Sequence, residues 1–259
     1  MTGNAIPIAL LLGAALWLGR PILGQQGGDD EALKRELHQL GEVAESLNQA
    51  LPSLTCQETA VSERIVRGKV KQHVAFTASM RAVRTPGGPL HESFTVTTVN
   101  GKPPSRKAAR YPYYTAGAFD SAMVYFVPAH QACYRFSLSG RRLDFETAPD
   151  ATSHPQCRDD GLHGFALLDA DGNVTHTERT ISADASENFR LVPFAAIDFA
   201  PVELNGQVFR LTHHLVSEYP QGDSVGRFEA TYSECKLFSV SVTIGPPTRV
   251  DPADTPPPH

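Results

Sequence analysis

Familiar catalytic machinery is missing from this chain. There is no His-Glu-x-x-His, no phosphate-binding loop and no Gly-x-Gly-x-x-Gly, which excludes the motif-bearing zinc peptidases and nucleotide enzymes. Ser137-Leu138-Ser139-Gly140 lacks the first glycine of a nucleophile elbow. There is no Cys-x-x-Cys pair among the four cysteines, so their spacing is not that of a zinc site. No enzyme activity, metal or other cofactor is expected. Positive charge is also scarce: 23 Lys and Arg stand against 28 Asp and Glu, a net charge of −5. That balance argues against nonspecific nucleic-acid binding, which depends on a clustered basic face. The only tryptophan is Trp17, and it lies inside the one long apolar run.

That run, Ile6 to Gly19, is shorter than the ~20 residues needed to span a bilayer and leads into small residues and the polar Gln25-Gln26-Gly27-Gly28-Asp29-Asp30. It reads as a secretory signal peptide over residues 1–24, cleaved near Gly24-Gln25, despite the lack of Lys or Arg before it. No Cys follows the run to carry a lipid anchor. Loss of Arg20 with the leader takes the net charge to −6. A periplasmic or secreted location is expected. An even count of cysteines in an exported chain favours two disulfides. Three connectivities are open, and Cys133 with Cys157, together with Cys56 with Cys235, is the favoured one.

Leu33, Leu37, Leu40, Ala44, Leu47, Leu51 and Leu54 recur at spacings of four and three, which predicts an amphipathic helix starting after Asp29 or Asp30 and ending before Pro52. Residues 25–54 are therefore assigned to a linker and this helix, with Gly41 weakening its middle. From Thr55 the period becomes two. Val70, Gln72, Val74, Phe76, Ala78 and Met80 share one parity, and Phe94, Val96 and Thr98 continue the pattern to Asn100-Gly101. Tyr134, Phe136 and Leu138 alternate before Ser139-Gly140. Asp171-Gly172 and Asn205-Gly206 supply the turn chemistry of two further hairpins. The Asp169-Ala170-Asp171-Gly172-Asn173 segment resembles a calcium loop only superficially, for it has no glutamate at the twelfth loop position. A last strand is predicted over Arg227–Ile244, with a bulge near Cys235 where Glu234 and Lys236 break the parity. On the same reasoning His213 points inward with Phe209, Leu211 and Leu215, and His214 points out. The predicted fold is mainly β: a strongly curved antiparallel sheet over residues 55–245, an unclosed half-barrel with an N-terminal covering helix. Residues 246–259, with six prolines, are expected to form a Pro-rich disordered tail.

Several segments carry a resemblance: Leu51-Pro52-Ser53-Leu54-Thr55-Cys56, Val99-Asn100-Gly101, Gly140-Arg141-Arg142-Leu143, Leu167 to Asn173, and Asp198 to Gly206. They resemble a group of uncharacterised secreted bacterial proteins. More distantly the chain is similar to the periplasmic lipoprotein-carrier superfamily, the LolA-like and LolB-like proteins. That resemblance implies an unclosed β-barrel holding a lipid or lipoprotein acyl chain beneath a helical lid. The lining candidates on a concave apolar face are Val74, Phe76, Met80, Phe94, Val96, Phe209, Leu211, His213, Phe238 and Val240. The same alternation builds any filled core, so the alternative is a periplasmic structural or interaction module. It would meet a peripheral envelope partner through its helix or sheet edge.

Overall fold

The computed structural model describes residues 26–85, 88, 90–105, 113–115, 118–119, 122–157, 161–182 and 193–238. The expected leader, the Pro-rich tail and Val240 lie outside them. Helix α1 runs Gln26–Ala50 and ends two residues before Pro52, as a residue preceding proline disfavours helix. Ten strands follow: β1 Leu54–Val66, β2 Lys69–Arg84, β3 Leu90–Val99, β4 Tyr134–Ser139, β5 Arg142–Thr147, β6 His163–Leu168, β7 Val174–Thr180, β8 Phe194–Leu204, β9 Gln207–Gln221 and β10 Ser224–Leu237. A short helix α2, Pro128–Gln131, precedes β4.

All ten strands form a single sheet in the order β3-β2-β1-β10-β9-β8-β7-β6-β5-β4, every neighbouring pair antiparallel. The sheet is not closed: β3 and β4 are its two edges. Most turns are hairpins, and Asn205-Gly206 shows why the sequence folds there. Both residues have positive φ, 54° and 77°, the pair of values that a two-residue turn matched to sheet twist demands.

One consequence of this order positions everything else. β3 and β4 are consecutive in sequence yet lie at opposite edges, so the chain between them, residues 100–133, has to travel from one edge to the other. Its described residues Tyr113–Thr115 and Ala118–Phe119 lie on the concave face. Inward positions on that face are apolar and often small, with Ala60, Ala78, Ala82, Ala166, Ala195 and Ala230 all buried. The volume these alanines leave is filled from the connection, where Phe119, Met123, Tyr125 and Phe126 are buried.

Both disulfides take the favoured pairing. Cys56–Cys235 links β1 to β10 at a Cα separation of 4.1 Å, and Cys133–Cys157 ties the start of β4 to the loop after β5 at 5.2 Å. The bulge expected near Cys235 is present: Thr55 faces Lys236 but Gln57 faces Ser233, and Glu234 has a φ of 51°.

Candidate functional site: the covered concave face

The connection is seated on the concave face by side chains of the strands. Ser62 of β1 accepts a hydrogen bond from the Tyr113 N–H and donates one to the Tyr113 carbonyl. Thr115 and Ser217 of β9 share a hydroxyl hydrogen bond. The Glu92 carboxylate of β3 accepts the N–H groups of Ala118, at 3.1 Å, and Phe119, at 2.7 Å. The Thr212 hydroxyl donates to the Ala118 carbonyl. Buried polar groups must find partners, and here Ser62, Thr212 and Ser217 find theirs in the covering segment. Gly226 of β10 belongs to the same fit, because a Cβ built there would lie 2.9 Å from the Tyr113 Cβ.

Aromatic contacts complete the cover. The Tyr114 ring stacks on Phe94 with centroids 4.1 Å apart and meets Phe228 edge-on at 4.9 Å. Phe119 stands edge-on to Tyr232 at 5.1 Å. Tyr125 stacks on Phe145 at 5.3 Å, and Phe126 meets the same ring at 5.7 Å.

Helix α1 packs on this covering segment as well as on β4. Leu40 and Ala44 are buried, with Leu33, Leu37, Val43 and Leu47 packed beside the core. Gly41 marks a close approach: a Cβ there would come within 3.0 Å of Gln131 Nε2 and 3.1 Å of Pro128 Cγ. The Gln131 amide donates to the carbonyls of Leu37 and Phe126. At the other end the Arg84 guanidinium donates to the Leu47 and Leu51 carbonyls, satisfying acceptors that a helix C-terminus leaves unpaired.

Between α1, the connection and the sheet remains a cavity of about 100 Å³, walled by Ala44, Leu47, Leu90, Met123, Phe199 and Leu211, with Arg84, His130 and Arg210 on its polar side. It falls below the ~300–1,000 Å³ of sites that enclose a small-molecule ligand. A larger cleft, about 480 Å³, lies over β4 to β7. Its lining is mixed, with Phe136, Phe145 and Phe165 beside the ion pairs Arg135–Glu146 and Arg142–Asp144.

The expected lining residues scatter accordingly. Val74, Phe76, Met80 and Phe209 are buried, and Phe76 packs against Phe228 and Tyr114. Val96 is half-buried and Phe94, at 37% exposure, is covered on one side by Tyr114. Only Leu211 borders the 100 Å³ cavity. His213 does not point inward. The β8–β9 register places Phe199 opposite Thr212 and Asp198 opposite His214, so His213 is the extra residue of a bulge and its side chain is exposed. Phe238 also departs from expectation. The strand ends at Leu237, and the bulge at Glu234 has reversed the parity, so the Phe238 ring lies against the exposed Arg81 guanidinium at 5.5 Å. The covering segment itself escaped sequence reasoning because it has no period. Its signal is the density of aromatics, Tyr111, Tyr113, Tyr114, Phe119, Tyr125 and Phe126, in a connection too long for a turn.

Two further polar clusters are present, and the first borders the cavity through Arg210. Asp169 accepts the N–H groups of Asp171 and Asn173 and pairs with Arg210; these bonds, the Asn173 amide first, hold its carboxyl below the usual range. This is the turn chemistry of the β6–β7 hairpin. His176 and His214 both bond the Asp198 carboxylate, at 2.7 and 3.2 Å, and His214 reaches Glu229. Burial opposes ionisation of Asp198, but the two histidines outweigh it and hold its pKa down.

No protein-family model matches this chain, and no curated protein matches it. Solved structures do. A DUF1329 family protein from Desulfovibrio piger matches over 81% of this chain and 94% of its own, at 11% identity and a TM-score of 0.40. A putative outer membrane lipoprotein-sorting protein domain from Vibrio parahaemolyticus matches over 78% and 92%, at 9% identity and 0.42. A LolA superfamily protein from Nitrosomonas europaea matches over 79% and 94%, at 9% identity and 0.34. At likeness this remote, only the chain's own residues speak to what it binds.

Proposed function

We propose that this protein is a noncatalytic, exported holder of an apolar chain, a lipid or a lipoprotein acyl chain, received on the concave face that the β3–β4 connection covers. The observation that supports it best is how that cover is held. The face is apolar and rich in inward alanines. The Tyr113, Thr115 and Ala118–Phe119 residues of the cover are seated by the side chains of Ser62, Ser217, Glu92 and Thr212. A segment held this way can be exchanged for another apolar chain while the sheet ladders stay intact, and the 100 Å³ gap beside Leu47 and Leu211 is where such a chain would start. Two disulfides favour an oxidising compartment, and the periplasm is the compartment this reading assigns.

The test is solvent extraction and mass spectrometry of protein purified from its native compartment without detergent. An acyl lipid in near-stoichiometric amount is the expected result; lipid-free protein contradicts the proposal. One observation favours a second reading, an interaction module: the edge strand β3 carries the partly exposed Phe94 between exposed Ser93 and Thr95, a surface suited to a partner strand. A stoichiometric partner protein with no lipid would support that reading instead.

A further inference from the structure

Glu58 is out of place on an apolar face. It sits on the inward parity of β1 between Cys56 and Ala60, with 0% of its surface exposed. Its Oε1 receives a long hydrogen bond, 3.4 Å, from the Tyr232 hydroxyl. Its Oε2 has no hydrogen-bond partner among the described residues. The titratable groups acting on it are Tyr232 from β10 and Glu92 from β3, and neither is a cation. From β2 it faces Ala78. From the connection come Phe119, whose ring rests on Tyr232, and Tyr114, whose hydroxyl acts on Tyr232 in turn.

Glu92 joins this arrangement to the cover. Its carboxylate holds the N–H groups of Ala118 and Phe119, so one acid fastens the same turn that helps to enclose the other. We propose that Glu58 is a proton latch for the concave face: with its carboxyl neutral, Ala118 and Phe119 seat on Tyr232, and with it ionised they lift away and admit water.

The asymmetry of what can move carries the mechanism. A buried carboxylate without a cation must regain hydration or keep its proton. The strands on either side of Glu58 cannot supply that hydration, because β1 is laddered to both β10 and β2 and is crosslinked to β10 two residues away, at Cys56–Cys235. The Ala118–Phe119 turn is fastened to the sheet by Glu92 and Thr212 side chains, so it is the part that yields. Burial foremost, and the neighbouring Glu92 charge, push the Glu58 carboxyl up to about 7, which places the transition near neutrality. Burial also raises the Tyr232 hydroxyl far above its ordinary value, so Tyr232 remains a neutral donor throughout. The latch is independent of what the opened face receives and goes beyond the proposed function.

Hydrogen–deuterium exchange of the disulfide-intact protein and of Glu58→Gln at pH 5.5 and 8.5, with labelling times scaled to intrinsic exchange, tests it without any ligand. Between the ordinary carboxylate value of 4.5 and the folded-state value of about 7, each pH unit shifts the open-to-closed ratio by about tenfold, and above about 7 the ratio is constant. The peptide carrying Ala118 and Phe119 should therefore lose at least about tenfold protection at pH 8.5 in the wild type and none in Glu58→Gln, while β1 and β10 peptides stay protected in both. Equal protection of the wild-type peptide at both pH values, the same loss in Glu58→Gln, or simultaneous loosening of β1 and β10 overturns the latch. Carboxyl-carbon NMR of the unaltered protein gives a second reading. Glu58 should titrate near neutrality in step with the Ala118 and Phe119 amides, and titration in the ordinary carboxylate range overturns the proposal.

Discussion

Replacing Glu58 with glutamine should stabilise the protein at neutral and alkaline pH and leave it unchanged in acid. The side chains are nearly isosteric, so the variant removes ionisation and little else. Glu58 has an ordinary value of 4.5 and a folded-state value of about 7. Below about pH 4.5 both the folded and the unfolded chain hold the proton, and no penalty exists. Between these values the unfolded chain releases its proton while the folded chain keeps it, so stability falls as pH rises. Above about 7 the loss is complete and constant. A shift of this size corresponds to about 3 kcal/mol at 1.36 kcal/mol per unit. The other carboxylates titrate in both proteins and cancel in the difference. Urea unfolding at several pH values between 5 and 8, followed by far-ultraviolet circular dichroism with disulfides intact, measures it. The Gln–Glu difference should be small near pH 5 and grow to about 3 kcal/mol at pH 8. A difference independent of pH, or a variant less stable at pH 8, refutes the account of Glu58 as a buried acid without a cationic partner.

Other substitutions probe the cover and its supports. Gly226→Ala drives a Cβ to 2.9 Å from Tyr113 and should cost about 1–3 kcal/mol in thermal or urea unfolding, as overpacked cores do. Phe76→Ala, at 2% exposure, should cost about 3–5 kcal/mol if its ring is close-packed as the contacts indicate. A near-neutral change there with lost lipid binding would mean a roomy trough instead. Removing Cys56–Cys235, whose partners are 179 residues apart, should cost about 5 kcal/mol on the chain-entropy view. Leu40→Asp with Leu47→Asp should undock α1, lower the melting temperature and raise binding of a hydrophobic dye; full stability with no dye signal contradicts helix docking.

The sequence was legible wherever local chemistry sets the structure. The heptad-like stripe from Leu33 to Leu51 and the alternation from Val74 to Met80 name the faces they bury, and Asn205-Gly206 names its turn. Parity reasoning fails where one residue is inserted. The bulge at Glu234 is legible from the broken alternation, but its consequence, the outward turn of Phe238, follows only when the parity is reversed beyond it. The bulge at His213 left no such mark, since Leu211 and Leu215 keep the same odd parity across it. Gly41 reads as a weak point of a helix and proves to be the close contact with Gln131 and Pro128. The largest gap is the aromatic connection. Its place depends on which strands form the two edges of the sheet, a nonlocal fact that no window of residues contains. Ser62, Thr212 and Ser217 are polar residues on an apolar face whose partners lie in that connection.

The central claim is that the concave face receives an apolar chain in exchange for its cover. Irradiation of the delipidated protein with a photoactivatable long-chain fatty acid, followed by peptide mapping of the crosslinks, tests it most directly. The account predicts labels on the β2 and β10 peptides that carry Phe76 and Phe228, suppressed by excess unlabelled fatty acid and accompanied by lost protection of the Ala118–Phe119 peptide. Labelling confined to the cleft over β4 to β7, or none that unlabelled fatty acid suppresses, contradicts it.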